Sequence, residues 1–342
     1  MTQPDATESD YRAYAQAGVA ALQRWYRPWT GLWRTTGWWN GANALTAVMD
    51  YTERTGDQTH ARAADRTFRR ARRRNANFVN KFFDDNGWWA LAWIKAYDNS
   101  RDDRYLHAAQ FIFSNMITGW DEICGGGVWW NTDRNYKNAI TNELFLTLAA
   151  LLHQRTPGDQ NYLTWAERAW AWFSASGLIG PSGLINDGLT PACVNNGGTT
   201  WTYNQGVILG GLAALSEITG DRAYLQHGEA IANAALSKLV TPATARPPGI
   251  LVEPCERAPG GCDGDQAQFK GIFVRYLSDL WLAGRQPAYR TFILANARSL
   301  WDNNKNAGHQ FGLRWTGPFD QADAARQSSA LDGLNAAVAL AG

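Results

Sequence analysis

A chain of 342 residues with 45% hydrophobic and 18% charged side chains can bury one large core or two or three smaller ones. Its 32 basic and 31 acidic residues nearly cancel, which argues against an electrostatic nucleic-acid binder. No apolar run approaches the ~18–20 residues of a membrane span, so residues 144–152 read as a core helix segment.

Residues 1–10 are polar and acidic and lack the basic-then-apolar pattern of a signal segment. Either the protein stays inside the cell or a leader has been removed. From there a repeated turn organises the chain. Thr55-Gly56-Asp57, Gly158-Asp159 and Thr219-Gly220-Asp221 each follow an apolar helical stretch and precede another. Asn99-Ser100-Arg101-Asp102 and Gly284-Arg285-Gln286-Pro287 hold the same place in weaker form. Gly supplies the left-handed position after a helix, and Asp caps the next one. The predicted helices alternate in kind. One set begins near Asn40, Asn86, Asn138, Asn204, Gln266 and Gln327 and is apolar almost all round, as in residues 139–152 and 207–218. The other occupies roughly 8–26, 58–78, 102–118, 159–176, 221–239 and 287–303 and is amphipathic where its pattern is clearest, in 61–77 and 162–173. Six helix hairpins in two concentric rings satisfy both patterns, so the expected fold is an (α/α)6 barrel forming one domain over residues 1–342. Residues 179–203 and 240–265, rich in Gly and Pro, are expected to be loops. Residues 124–127 and 131–137 read as a short turn or β-ribbon.

The aromatic content is the anomaly: 18 Trp, 12 Tyr and 13 Phe exceed what a core needs and point to a binding surface. Polar and aromatic residues gather just before the buried helices, at Trp38-Trp39-Asn40, at Phe82-Phe83-Asp84-Asp85-Asn86-Gly87-Trp88-Trp89, at Trp129-Trp130-Asn131, at Trp201-Thr202-Tyr203-Asn204-Gln205 and at Asp263-Gly264-Asp265-Gln266. If the inner helices run the same way, these starts surround one mouth of the barrel, where free N–H groups and positive dipole ends converge. Flat aromatic faces among carboxylates and amides suit a sugar ring. Asp84-Asp85 is the sharpest feature. Two acids at a helix start commonly serve as cap and dipole partner, but here the flanking Phe82, Phe83, Trp88, Trp89 and Trp93 favour a proton on one carboxyl while the other ionises. Two carboxyls with separated pKa values are what glycoside hydrolysis needs.

The stretch from Phe82 to Trp93 closely resembles the signature of family 76 of the glycoside hydrolases, the endo-α-1,6-mannanases. Residues 125–131, 137–145, 202–211 and 265–276 resemble further motifs of that family. The resemblance implies an (α/α)6 barrel that cleaves α-1,6-mannan with retention, without a cofactor. It implies Asp84 as nucleophile and Asp85 as general acid/base, their carboxyls about 5–5.5 Å apart. An α-1,6-linked mannan or manno-oligosaccharide is the expected partner, bound by a monomer, with mannan transglycosylation and silent mannan binding as alternatives.

Asn40, Trp88, Trp129, Trp130, Asn138, Asn142, Tyr203, Asn204, Gln205, Asp265, Gln268 and Lys270 are the candidate sugar contacts. Amides at helix starts are usually caps; their recurrence around one rim argues for a sugar role for some of them. Of the adjacent Trp129 and Trp130, one is expected to face the cleft and the other the core. Trp165, Trp170 and Trp172 lie on an amphipathic helix and read as packing residues. Residues 62–74 hold seven Arg and one Asp, read as a solvated outer face with attraction to anionic lipid or phosphomannan as a lesser option. The five His are scattered and no Cys-x2-Cys pair exists, against a zinc site. Cys255 and Cys262 flank a loop able to close a disulfide, and their place resembles a pair in exported relatives. Cys124 and Cys193 could bridge two rim loops. Buried free thiols are the alternative for both pairs. Disulfides favour an oxidising compartment, against the missing signal segment, and the localisation expected is extracytoplasmic. A sugar epimerase on this architecture would want paired cleft histidines. A terpene cyclase would want D-D-x-x-D, where this chain has Trp88 at the fifth place.

Overall fold

The computed structural model describes residues 6–341. Six inner helices, α2 (Trp38–Thr55), α4 (Phe83–Ser100), α6 (Ala139–Arg155), α8 (Thr202–Thr219), α10 (Phe269–Gly284) and α12 (Ala324–Ala341), pack side by side in a closed ring. Six outer helices, α1 (Glu8–Gln23), α3 (Arg62–Ala71), α5 (Asp103–Ile117), α7 (Gln160–Ala175), α9 (Ala223–Lys238) and α11 (Pro287–Asn303), alternate with them along the chain. This is the expected (α/α)6 barrel. A two-residue β-hairpin pairs β1 (Tyr26–Arg27) with β2 (Leu32–Trp33).

Burial follows the two predicted patterns. In α12 every residue from Ala324 to Val338 is buried, whereas α3 buries only Ala63, Ala64, Thr67, Phe68 and Ala71 and sends its arginines outward. Inner helices meet closely where the sequence offers glycine. A Cβ on Gly206 would lie 2.6 Å from the Phe273 Cα, and one on Gly271 2.5 Å from the Ser329 Cα, so larger residues there would force the ring open.

The repeated turns act as their composition suggests. Gly56 and Gly220 end α2 and α8 in the left-handed region at φ 75° and 74°. Asp102 and Asp159 cap α5 and α7. In the two weaker copies arginine takes the left-handed position instead, Arg101 at φ 56° and Arg285 at φ 58°. The third outer helix is shorter than the predicted 58–78. The Asn75 backbone N–H still reaches the Ala71 carbonyl, but the Asn77 N–H then bonds the Arg72 carbonyl, five residues back, and Ala76, Asn77 and Phe78 turn to positive φ, which ends the helix.

Both cysteine pairs form disulfides, Cys124–Cys193 and Cys255–Cys262, with Cα separations of 5.1 and 5.0 Å. Their sequence separations of 69 and 7 residues differ tenfold. Loop-closure entropy assigns them about 4 and about 2 kcal/mol. Replacing the first pair by serine is therefore expected to lower the melting temperature more than replacing the second, read by calorimetry. The reverse order would place the stabilisation elsewhere than in chain entropy.

Candidate active site

The N-termini of the inner helices share one mouth of the barrel, and the acid pair stands in the first turn of α4. An extended strip carries Trp130 to it. Phe83 N–H donates to the Trp130 carbonyl at 2.8 Å, Trp130 N–H to the Tyr136 carbonyl at 2.8 Å, and Thr132 N–H to the Lys81 carbonyl at 3.0 Å. The Trp130 indole N–H then donates to Asp84 Oδ2 at 3.0 Å, and the Asp85 backbone N–H donates to Asp84 Oδ1 at 3.0 Å. Both oxygens of Asp84 thus face donors, the pattern that suits an ionised carboxylate. Asp85 differs. Its Oδ2 accepts from the Asn80 amide at 2.6 Å, and among the described residues no hydrogen bond reaches its Oδ1. That oxygen can carry a proton.

Burial dominates the titration of both groups. It pushes Asp84 up to about 8, with the Asp85 charge adding to it, and Asp85 up to about 6, with the Asp265 charge adding. Because the carboxyls act on each other, the two steps belong to the pair. Between them the pair holds one proton, and the hydrogen bonds assign it to Asp85. A pH–rate profile is expected to fall below about 6, where the second proton arrives, and above about 8, where the last one leaves. A profile still rising at pH 9 would contradict a shared proton.

Beside the acids runs a wall of near-parallel rings. Trp39 and Trp88 lie 5.5 Å apart, Trp88 and Tyr203 6.4 Å, and Tyr203 and Phe269 3.7 Å, at interplanar angles of 25°, 18° and 9°. The Trp39 indole donates to Asp265 Oδ1 at 3.0 Å. Asp84, Asp85, Trp88, Trp130, Tyr203 and Asp265 are thereby brought together. Of the two adjacent tryptophans, Trp130 meets the acid pair, while Trp129 is buried, donates to Asp121 Oδ2 at 2.7 Å and lies under the Lys137 ammonium.

The remaining candidates are buried and committed to the scaffold. Asn138 caps α6 by accepting from Thr141 N–H, and Asn142 clamps both backbone groups of Val128. Gln205 does the same to Ile185. Asn40, Gln268 and Ser328 join the starts of α2, α10 and α12 side chain to side chain, at 2.9 and 2.7 Å. Lys270 holds Glu256 and the Leu313 carbonyl. These residues position the rim loops, and their polar atoms are spent there.

Asn204 and Glu143 stand apart: both are fully buried, and among the described residues the Asn204 side chain has no hydrogen-bond partner and Glu143 is met only by the Ile208 backbone. Burial drives Glu143 well above the usual carboxyl range, so it is protonated at neutral pH. A raised carboxyl costs stability once the pH climbs past its unfolded value, and the cost grows until the folded group ionises. Glu143→Gln is therefore expected to melt no lower than wild type at pH 8. A loss of several degrees would show an ionised, paired carboxylate instead.

Sequence reading missed Asn80, whose side chain and backbone hold Asp85, Phe82 and Asn86 in place. The signal was an amide four residues before the acid pair. It also missed Phe269 as a wall residue. A cavity of about 650 Å³ lies at the opposite end of the barrel among the C-terminal halves of the inner helices. Its charged groups are mostly paired, as in Lys95 with Asp50 at 2.9 Å and Arg54 with Asp279 at 3.5 Å. It is a structural ion network.

Residues 16–341 match the family described as glycosyl hydrolase family 76. The chain belongs to that family. Among curated relatives, the mannan endo-1,6-alpha-mannosidase DCW1 of Candida glabrata is 34% identical over 257 residues, 68% of this chain and 55% of the relative. The corresponding Saccharomyces cerevisiae enzyme is 30% identical over 256 residues. The chain thus spans just over half the length of these family members. Among solved structures of the family, an alpha-1,6-mannanase of Salegentibacter sp. HEL1_6 superposes with a TM-score of 0.85 at 26% identity, covering 97% of this chain and 99% of its own. That structure is an inactive variant with two adjacent aspartates changed to alanine, in complex with alpha-1,6-mannotetrose. Dfg5 of Chaetomium thermophilum shares the fold, with a TM-score of 0.87 at 20% identity, covering 99% of this chain and 92% of its own.

Proposed function

We propose that this chain hydrolyses α-1,6-linked mannan, cutting within the polymer and retaining the anomeric configuration. The observation that carries the reading is the asymmetry of the acid pair: Asp84 bonded at both oxygens by N–H donors, Asp85 with one oxygen open. Asp84 attacks the anomeric carbon while Asp85 gives its proton to the departing glycosidic oxygen. A covalent mannosyl–Asp84 ester results, and the aglycone leaves as an alcohol. Asp85, now ionised, takes a proton from water, whose oxygen displaces Asp84 and restores both carboxyls.

Trp39 and Tyr203, the partly exposed rings of the wall, are the aromatic surface for sugar, with Trp88 and Phe269 buried behind them, and the relatives supply the linkage. Residues 1–342 are read as one catalytic unit acting as a monomer. The two disulfides favour an oxidising, extracytoplasmic compartment. Among the described residues no helix is long and apolar enough to cross a membrane.

The deciding experiment is incubation with linear α-1,6-manno-oligosaccharides, following the first-formed anomer by NMR and the product lengths by chromatography. Retention with internal cleavage is expected. A β-anomer formed first would overturn the mechanism, and inert substrate across pH 5–9 would favour a binding role.

A further inference from the structure

The β1–β2 hairpin and α3 form one continuous surface that the chemistry above leaves unused. The hairpin turns hard against the helix. Thr67 donates its hydroxyl to the Gly31 carbonyl at 2.7 Å, Tyr26 donates to the Ala63 carbonyl, and a Cβ on Gly31 would lie 2.8 Å from the Thr67 Cα. At its tip Trp29 is 65% exposed, with the Arg27 guanidinium 6.0 Å from the ring centroid. Pro28, Arg66, Arg69 and Arg70 line a shallow groove of about 520 Å³ beside it.

The charge of this face is one-sided. All seven arginines of residues 62–74 are exposed. Among the described residues, Asp65 is the one carboxylate that pairs with any of them, and it serves Arg69 and Arg104. A chain with a formal net charge of +1 therefore concentrates unpaired cations in one place. A solvated outer helix face could carry such arginines alone. What that leaves unexplained is a large indole held out in water next to Pro28, which lines the groove with Arg66, Arg69 and Arg70. Arg and Trp together are the residues that settle at a lipid–water boundary, the guanidinium at phosphate level and the indole beneath it. A soluble polyanion would use the charge but has no use for an inserted indole.

We propose that this face docks the protein on an anionic phospholipid bilayer, with Trp29 entering the headgroup layer and the α3 arginines on lipid phosphates. The patch ends at Arg74, six residues before Asn80, and Asn80 bonds Asp85. Six residues span at most about 20 Å, so docking holds the catalytic mouth close to the membrane. What this means for catalysis rests on the mannan reading; the docking itself does not depend on catalysis.

The test is co-sedimentation with vesicles of 70% phosphatidylcholine and 30% phosphatidylglycerol against pure phosphatidylcholine, at 0.05 and 0.5 M NaCl. At least tenfold stronger binding to the anionic vesicles is expected, collapsing at high salt as the Debye length shrinks. The triple change Arg66→Ser, Arg70→Ser, Arg73→Ser is expected to lose at least tenfold, the matching lysine triple to keep most of it, and Trp29→Ser to lose severalfold. Cleavage of soluble α-1,6-mannotriose stays unchanged in all of them, which verifies folding. Equal binding to both vesicles, a serine triple that binds like wild type, or capture by single-stranded DNA without vesicle binding would each overturn the proposal. Failure of the mannan reading would show separately, as intact vesicle binding by a protein inert on the trisaccharide.

Discussion

Asp84→Ala is expected to lower kcat on α-1,6-manno-oligosaccharides by about 10⁴-fold or more, and Asp85→Ala by about 10²–10⁴-fold. The two losses differ in kind. The bond to a natural leaving sugar needs the Asp85 proton, whereas an aryl mannoside with a good leaving group departs without it. On such a substrate Asp85→Ala should form the mannosyl–enzyme rapidly and then stall, because no base activates water. Added azide, which needs no base, should restore turnover and give the α-azide. Asp84→Ala should gain nothing on the activated substrate, and azide there should give the β-product by direct displacement. Exchange of these two patterns would reverse the roles. Both variants should stay folded. Each removes a carboxyl that burial pushes up, whose ionisation costs the native state increasingly as pH rises past the unfolded value. At pH 8 they should melt at or above wild type.

The second large effect lies at the other end of the barrel. Arg275 is buried and bonds both oxygens of Asp332, at 3.1 and 2.7 Å, and the side-chain Oδ1 of Asn43 at 2.9 Å, with Asp50 at 3.5 Å. Arg275→Met keeps much of the volume but leaves Asp332 without its cation and Asp50 with Lys95 as its remaining partner at 2.9 Å. The expected loss is about 3–5 kcal/mol. Without the guanidinium, the pKa of Asp332 in the folded variant rises, so the native state holds a proton that the unfolded chain has released. The deficit should therefore be smaller at pH 5 than at pH 8, read as denaturation midpoints at the two pH values. The triple variant with Asp332→Leu and Asp50→Asn should recover most of the loss. An Arg275→Met protein of unchanged stability would mean that the network contributes no more than its packing.

The two rings were legible because their signal is long. Burial on all sides writes an apolar run, burial on one side writes an amphipathic period, and the turns between repeat a Gly-Asp signature. The acid pair was legible for a local reason, since charge among aromatics at a helix start stands out. What was not legible needed direction. In an extended strip adjacent side chains face opposite ways, so one of Trp129 and Trp130 had to reach the cleft, but only the register with Phe82 and Phe83 selects Trp130. The rim amides show the same limit. Asn142 and Gln205 have the composition of sugar ligands, yet each spends its side chain on a loop backbone that composition does not reveal. Asn80 escaped because its value lies in a contact five residues on, across a turn rather than along a helix.

The joint between the first and last helices has a consequence for biosynthesis. Gln327 donates to the Gly18 carbonyl, Asn335 to the Ala47 carbonyl, and Ala324 N–H to Thr35, contacts spanning 288 to 309 residues of chain. Until α12 leaves the ribosome, α1, α2 and α10 each present a bare apolar flank, open to proteases and to association with other nascent copies. The ring that frames the acids closes only once residues 324–341 have been made, so a polypeptide released before them would lack a complete mouth.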